Sequence, residues 1–273
     1  MLKRPPLPLR PEARFASRYT RRAISEQHTP RQNLVLAALP LADYERLLPH
    51  LEPVVLSSGS IIHHAGAREE YLYFITTGVV SRVNVTKDGS ASGFAVTGTE
   101  GVIGVATFLG GESLSSQAVV TFPGYAYRLR SDLLMAEFED YAPLRHLLLR
   151  YTQALMAQAM QIGVCNRFHS LDQQLCRWIL SCLDRLPSNE LAITQKLIAG
   201  ALGVRREGVT EAAGRLQEAG LIHYSRGHIA VLDRPRLEAR ACECYALIKR
   251  EHERLSGPEN ALGNAGVAGA DHR

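Results

Sequence analysis

The sequence predicts an α+β protein in which a β-rich N-terminal part is joined by one long helix to a helical C-terminal part. Three observations support this fold class. Short apolar segments punctuated by glycines fill residues 53–130, as in all-β barrels and rolls. A heptad pattern of apolar residues follows over 144–165. Two short amphipathic helices and a hairpin pattern occupy residues 193–232.

Length and composition limit the possible classes of protein. The 273 residues, of which 46% are hydrophobic, are enough for one large domain or two ordinary ones. Mean hydropathy is −0.08, and no stretch approaches the roughly 18 apolar residues of a membrane-spanning helix. The N-terminus lacks the apolar segment of a secretory signal, and five cysteines, an odd number, fit a reducing compartment. We therefore expect a cytoplasmic protein with no membrane partner.

Charge is unevenly distributed along the chain. Residues 1–33 carry eight Lys or Arg against two Glu, together with five prolines, which predicts a disordered basic arm. This arm is either a solubilising tail or a segment that contacts nucleic acid. Residues 34–170 hold nine basic against twelve acidic side chains, whereas residues 171–255 hold thirteen against eleven. The two parts are therefore expected to have different partners.

Residues 34–142 are predicted to form the β-rich domain. Leucines at helical spacing open it over 34–52. The segments between 53 and 130 are β-branched and aromatic, and Lys-Asp-Gly-Ser at 87–90 is a good hairpin turn. A short amphipathic helix after Asp132 ends the domain.

A long helix is predicted over residues 143–169, because an apolar stripe repeats there with 4-3-4-3 spacing. A stripe this narrow predicts the seam of a parallel homodimer, in which the single polar residue fixes the register. The seam residues are Leu144, Leu148, Tyr151, Leu155, Gln158 and Ile162. The alternative is a helix that packs on its own domain.

Residues 170–245 contain a helix-turn-helix pattern. Thr194 can cap a first helix, and Gly203 provides a tight turn. A second helix runs from about Arg205 to Ala219, with Gly220 as its C-terminal cap. The second helix has a predicted buried stripe of Val209, Ala212, Ala213 and Leu216. A β-hairpin that follows would form a wing. Residues 246–273 are expected to hold the end of a C-terminal helix and a disordered tail.

The second helix begins with two arginines and a glutamate. In helix-turn-helix proteins this end enters the DNA major groove, where arginine can bind guanine and glutamate can accept from cytosine. Other polar residues of the helix and the wing extend the surface, and three of them are placed to meet phosphates: Arg215, Arg226 and His228. The predicted DNA-binding residues are Arg205, Arg206, Glu207, Thr210, Glu211, Arg215, Arg226 and His228. A solvated helix start is the alternative interpretation.

Over roughly residues 33–245 the chain resembles the Crp/Fnr transcription regulators. The family pattern G-x-S-R-E-T-V-G-R aligns with Gly203 to Glu211, so that Arg206 and Glu207 fall on base-reading positions. Glu211 replaces a base-reading arginine, which implies a different operator from that of the cyclic-AMP receptor. The resemblance implies a jelly-roll-like, double-stranded β-roll as sensor, a dimerisation helix and a winged helix-turn-helix domain. It also implies a homodimer that binds double-stranded DNA, with RNA polymerase as a further partner.

The resemblance also tests the effector pocket. Cyclic-nucleotide-binding members carry G-E-x-x-L and then R-S/T-A, whose glutamate holds the ribose and whose arginine pairs with the phosphate. Val105 stands in place of that glutamate and Ser116 in place of that arginine. Without the arginine, a phosphate loses a charge-assisted bidentate contact. The candidate pocket comprises Gly104, Val105, Phe108, Ser116 and Gln117, and its effector, if it has one, is unknown.

All five cysteines lie at or after Cys165, which excludes an iron–sulfur cluster held by N-terminal cysteines. We interpret the cysteines as small buried side chains, with no metal site and no cofactor. One alternative is a redox- or metal-sensing regulator that uses Cys165, His169, Cys242 and Cys244. Another is a β-roll protein that regulates a partner without binding DNA. Common catalytic motifs are absent from the sequence, so we expect no enzyme activity.

Overall fold

The computed structural model describes residues 28–225 and 227–256, so Arg226 of the predicted wing lies outside the described residues, as do residues 1–27 and 257–273 of the predicted arm and tail. The last residues assigned to the arm are ordered, which corrects that prediction. They form a 3-10 turn at Pro30–Gln32, and the buried Asn33 side chain donates to the carbonyl oxygens of Ile75 and Gly101.

The N-terminal domain is an antiparallel β-roll entered through two short helices, α1 (Leu34–Ala37) and α2 (Leu41–Leu47). Its six strands are β1 (Glu52–Leu56), β2 (Ile61–His63), β3 (Tyr71–Val85), β4 (Ala91–Thr97), β5 (Val102–Ile103) and β6 (Gln117–Arg130). The order is β1-β6-β3-β4, with β2 also paired to β6 and β5 also paired to β3. The long strands β3 and β6 change register partway along their pairing, and such irregularities let strands bend. The predicted β-roll and the hairpin turn at 87–90 are confirmed.

A short helix, α3 (Ala106–Leu109), lies between β5 and β6, and two helices follow β6: α4 (Ser131–Asp140) and the long α5 (Ala142–Phe168). The predicted long helix is confirmed, and Pro143 lies in its first turn, where a missing N–H costs nothing.

The predicted dimer seam is wrong, because its residues pack within their own chain. Leu144, Leu148, Tyr151 and Leu155 belong to one apolar core with residues of β3, β5 and β6. The Tyr151 hydroxyl lies 2.8 Å from Thr97 Oγ1 on β4. Gln158 and Ile162 are buried as well. A heptad pattern shows which residues share a face of a helix, and this face is covered by the roll and by the C-terminal part of the chain.

A different apolar stripe of α5 faces outward. It consists of Leu149, Met156, Met160, Val164 and Phe168, each between 43% and 75% exposed. We call these five residues the exposed stripe. Within the described residues no element covers it.

The C-terminal domain begins with α6 (Leu171–Leu183), which Ser170 and Gln173 start with a capping box. The remaining elements are β7 (Glu190–Ala192), α7 (Gln195–Leu202), α8 (Arg206–Glu218), β8 (Ile222–Ser225), β9 (His228–Val231), α9 (Arg234–Arg240) and α10 (Cys244–Ser256). The strands form a sheet in the order β7-β9-β8, and α10 returns to pack along α5. None of the helices in the described ranges is long and apolar enough to cross a membrane.

Candidate nucleic-acid interface

The turn between α7 and α8 has the geometry that the sequence predicts. Thr194 Oγ1 accepts a hydrogen bond from the Leu197 N–H at 3.4 Å and so caps α7. Gly203 ends α7 with a φ of 71°, in the left-handed region that favours glycine. A Cβ at Gly203 would also lie 2.8 Å from Ser92 Oγ on β4. Conformation and close packing therefore both require glycine at this turn.

Packing of α8 fixes which of its side chains face outward. The predicted inner stripe of Val209, Ala212, Ala213 and Leu216 is confirmed, since each of these side chains is essentially fully buried. These residues pack in the core formed with α6 and α7. The predicted DNA-binding residues at the start of α8 are all exposed: Arg205, Arg206, Glu207, Thr210 and Glu211. The start of α8 is thus a charged surface on a rigid support.

Gly208 lies inside α8, where glycine costs about 1 kcal/mol relative to alanine. The structure supplies a reason that the sequence alone does not. A Cβ at this position would lie 3.0 Å from Leu171 Cδ2 at the start of α6. The glycine therefore allows α8 to approach α6 closely.

Arg215, which the sequence predicts to contact a phosphate, pairs with a carboxylate of its own chain, and its side chain is 51% exposed. Its Nη2 lies 2.6 Å from Asp172 Oδ1, and its Nε donates to Asp172 Oδ2 at 3.0 Å. Asp172 is nearly buried at the α6–α8 contact, and the Arg215 guanidinium holds the pKa of its carboxyl below the usual range. Arg240 adds a second cation at 3.6 Å. The charge of Arg215 thus stabilises the packing that supports α8.

The predicted wing is present as the β8–β9 hairpin. Ile222 pairs with Val231 and Ser225 with His228, and Ala192 of β7 pairs with His228 from the other side. His228 is exposed at the start of β9.

Four of the five candidate effector-pocket residues are buried. Val105 and Phe108 are buried in the core of the roll, and the Phe108 ring stacks on Phe138 at a centroid distance of 5.3 Å. Ser116 is also buried, and its Oγ has no partner among the described residues. Gly104 has a φ of 115°, and a side chain there would overlap the Tyr71 carbonyl oxygen. Gln117 is half-buried at the start of β6.

A buried ion pair lies beside these positions. Arg82 and Glu69 are each about 1% exposed, and Arg82 Nη1 lies 3.4 Å from Glu69 Oε1. Glu69 Oε2 accepts from the Ala106 N–H at 2.9 Å. Among the described residues of the roll, Arg82 is the only fully buried arginine, and its charge is neutralised by Glu69. Sequence reasoning missed this pair, because only closure of the roll brings the two residues together.

The structure also brings together the four residues named as a possible redox or metal site. The side-chain donor atoms of Cys165, His169, Cys242 and Cys244 all lie within 4.8 Å of one another. A hydrogen bond with Cys242, together with the nearby Arg177 guanidinium, lowers the pKa of Cys165 to about 5. Cys176 and Cys182 lie apart in the apolar core, where burial raises the pKa of each thiol to about 12. All five cysteines are buried, as the sequence predicts.

Each of the two domains matches a known protein family. The Cyclic nucleotide-binding domain family matches residues 53–141, and the Crp-like helix-turn-helix domain family matches residues 173–240. A β-roll followed by this helix-turn-helix domain defines a DNA-binding transcription regulator. The chain belongs to the Crp/Fnr family. No curated protein matches it in sequence.

Solved structures share the fold at low sequence identity. FixK2 from Bradyrhizobium japonicum has a TM-score of 0.62 at 18% identity, and the match covers 70% of this chain and 98% of that one. The c-di-GMP-responsive global regulator CLP from Xanthomonas campestris has a TM-score of 0.57 at 15% identity, over 71% and 100% of the two chains. A CRP/FNR-family regulator from Thermus thermophilus has a TM-score of 0.56 at 23% identity, over 70% and 98%.

Proposed function

We propose that the protein binds a specific DNA sequence as a homodimer, with the start of α8 from each copy in the major groove. The β-roll serves as a scaffold or as a sensor for something other than a cyclic nucleotide. One observation carries the proposal: the exposed face of α8 presents Arg205, Arg206 and Glu207 from a helix whose other face is fully buried.

The chemistry of this face suits base recognition. An arginine can donate two hydrogen bonds to guanine O6 and N7, and a glutamate can accept from the amino group of cytosine. The carboxylate of Glu211 one turn further on would disfavour a neighbouring phosphate and favour a base-edge donor. His228 is exposed in the hairpin, and we expect it to contact the phosphate backbone of the DNA.

The exposed stripe of α5 is proposed as the dimer interface. Helix-turn-helix regulators commonly read two half-sites one helical turn apart, and they do so as dimers. The exposed stripe provides a continuous apolar surface on the longest helix, and Phe168 at its end is 75% exposed. A second copy of α5 would cover five large apolar side chains at once.

The roll is proposed not to bind cyclic nucleotides. The cassette positions Val105 and Ser116 are buried and offer no charge, and Arg82 is already paired with Glu69. A cyclic phosphate entering the roll would have to separate that ion pair, which leaves a buried carboxylate without its cation.

The direct test is selection of binding sites from a random DNA pool with the purified full-length protein. We expect an enriched motif with two-fold symmetry and half-sites about 34 Å apart along the helix axis. Two results together would contradict sequence-specific binding: the DNA recovered at low salt has no enriched motif, and no DNA is recovered at physiological salt. That outcome would favour the alternative in which the protein regulates a protein partner.

A further inference from the structure

Four potential metal ligands from distant parts of the chain converge where α5 ends. Cys165 lies in the last turn of α5 and His169 is the C-cap of this helix. Cys242 and Cys244 lie at the junction between α9 and α10. The three sulfurs form a small buried cluster of their own, and all four donor atoms lie within 4.8 Å of one another.

Two distances between donor atoms are close to the edges of a tetrahedral metal site. Cys165 Sγ and Cys242 Sγ are 3.5 Å apart, and Cys244 Sγ lies 3.4 Å from His169 Nδ1. With bonds of about 2.3 Å to sulfur and about 2.0 Å to nitrogen, the corners of a tetrahedral zinc site lie about 3.5–3.8 Å apart. An iron–sulfur cluster distributes its thiolates over several iron atoms and needs a wider cage.

The surroundings orient the ligands as metal sites require. His169 Nε2 lies 3.2 Å from Glu243 Oε1, which leaves Nδ1 facing the thiols. A histidine ligand with a carboxylate on its other ring nitrogen is a recurrent arrangement around zinc. Glu243 stands between the two cysteine ligands of the α9–α10 junction, so one short segment supplies two thiols and the carboxylate.

Donors are also directed at the sulfurs. Arg177 Nε donates to Cys165 Sγ at 3.2 Å, and Gln161 Nε2 donates to Cys244 Sγ at 3.1 Å. The buried Arg177 guanidinium has a further consequence for charge. Three thiolates carry three negative charges, which one divalent cation and Arg177 offset, and the Glu243 carboxylate beside His169 is 68% exposed to solvent.

We infer that Cys165, His169, Cys242 and Cys244 bind one Zn²⁺ ion. Four protein ligands leave no position open, so the site is structural and not catalytic. It joins the end of α5 to the start of α10, and it holds α10 against the helix that carries the exposed stripe. Zinc binding here does not depend on the proposed DNA binding.

The first test is metal analysis of the full-length protein, purified without a metal-affinity column or chelator. We expect about one zinc per chain. Replacement of zinc by Co²⁺ should give the intense visible bands of tetrahedral cobalt and a thiolate-to-cobalt charge-transfer band. Cys165→Ser and Cys242→Ser should each lower the zinc content roughly tenfold, because the remaining ligands hold zinc far more weakly.

Cys176→Ser and Cys182→Ser are matched controls, since each removes a buried thiol outside the cluster. Both should keep the full zinc content. Wild-type protein that contains no zinc and gives no tetrahedral cobalt spectrum would overturn the inference, whatever the variants do. So would a Cys165–Cys242 disulfide in most of the freshly purified protein, found by mapping peptides without reduction.

Discussion

The start of α8 and the interior of the β-roll are the two places where the Crp/Fnr resemblance implies contact with a ligand, and they differ in almost every physical respect. At α8 the charged side chains Arg206 and Glu207 are exposed on a helix held by a buried apolar face. In the roll the cassette positions are apolar or small and buried, and the strongest charges, Arg82 and Glu69, are paired with each other.

If the roll binds no cyclic nucleotide, as we propose, its fold persists without that site. Strand pairing and core packing depend on the backbone and on apolar side chains, which the roll retains. A phosphate cassette places unpaired charges in a pocket, and such charges are costly unless a ligand pairs with them. Val105 and Ser116 carry no charge, so the roll does not bear that cost without a ligand.

The largest expected effect concerns the buried pair. Arg82→Ala leaves the Glu69 carboxylate buried without its cation, and we expect the free energy of unfolding to fall by about 3–5 kcal/mol. Urea denaturation followed by circular dichroism measures this. Arg130→Ala, which breaks the exposed pair with Asp132, is the control and should leave the free energy of unfolding almost unchanged. An equal fall in the free energy of unfolding for both variants would show that the Arg82–Glu69 pair is not a buried ion pair.

The second prediction tests whether DNA is read by two copies. Met160→Asp places two carboxylates against each other across the exposed stripe, and like charges in an interface cost several kcal/mol. Sedimentation should show monomers, with loss of tight DNA binding and little change in unfolding. Leu41→Asp is the control, since Leu41 is 61% exposed and Met160 is 65% exposed. A dimeric Met160→Asp protein would place the interface elsewhere.

The third prediction concerns cyclic AMP and cyclic GMP. Loss of a ribose contact and of a phosphate counter-charge, each worth about 1.5–3 kcal/mol, weakens binding roughly a hundredfold or more. Calorimetric titration should therefore detect no micromolar binding, and neither nucleotide should change a gel shift. Arg128 does not supply the missing charge, because it pairs with Glu52 at 2.9 Å and lies over the Tyr71 ring. Micromolar binding of either nucleotide would show that the roll retains a site.

Local patterns predicted much of this structure. The strands, the glycine turn at Gly203 and the inner stripe of α8 follow from periodicity and turn chemistry, which are properties of neighbouring residues. The surface that covers the heptad residues of α5 cannot be predicted in this way, because a heptad pattern is equally compatible with packing against a sheet or against a second helix. The ion pair of Arg215 does not follow either, since its partner, Asp172, lies on another helix. The full geometry of the thiol cluster likewise depends on tertiary contacts, with Cys165 and Cys242 separated by 77 positions.

We propose that the start of α8 reads bases, and binding-site selection repeated with Arg206→Ala checks this proposal. Arg130→Ala serves as the control, because it removes the same charge from an exposed site on the roll. We expect Arg206→Ala to lose about 1–3 kcal/mol on the preferred site and to relax one base position in each half-site. The Arg130→Ala protein should select the wild-type motif. If the Arg206→Ala protein selects the wild-type motif with unchanged preference at every position, the start of α8 does not read bases through Arg206.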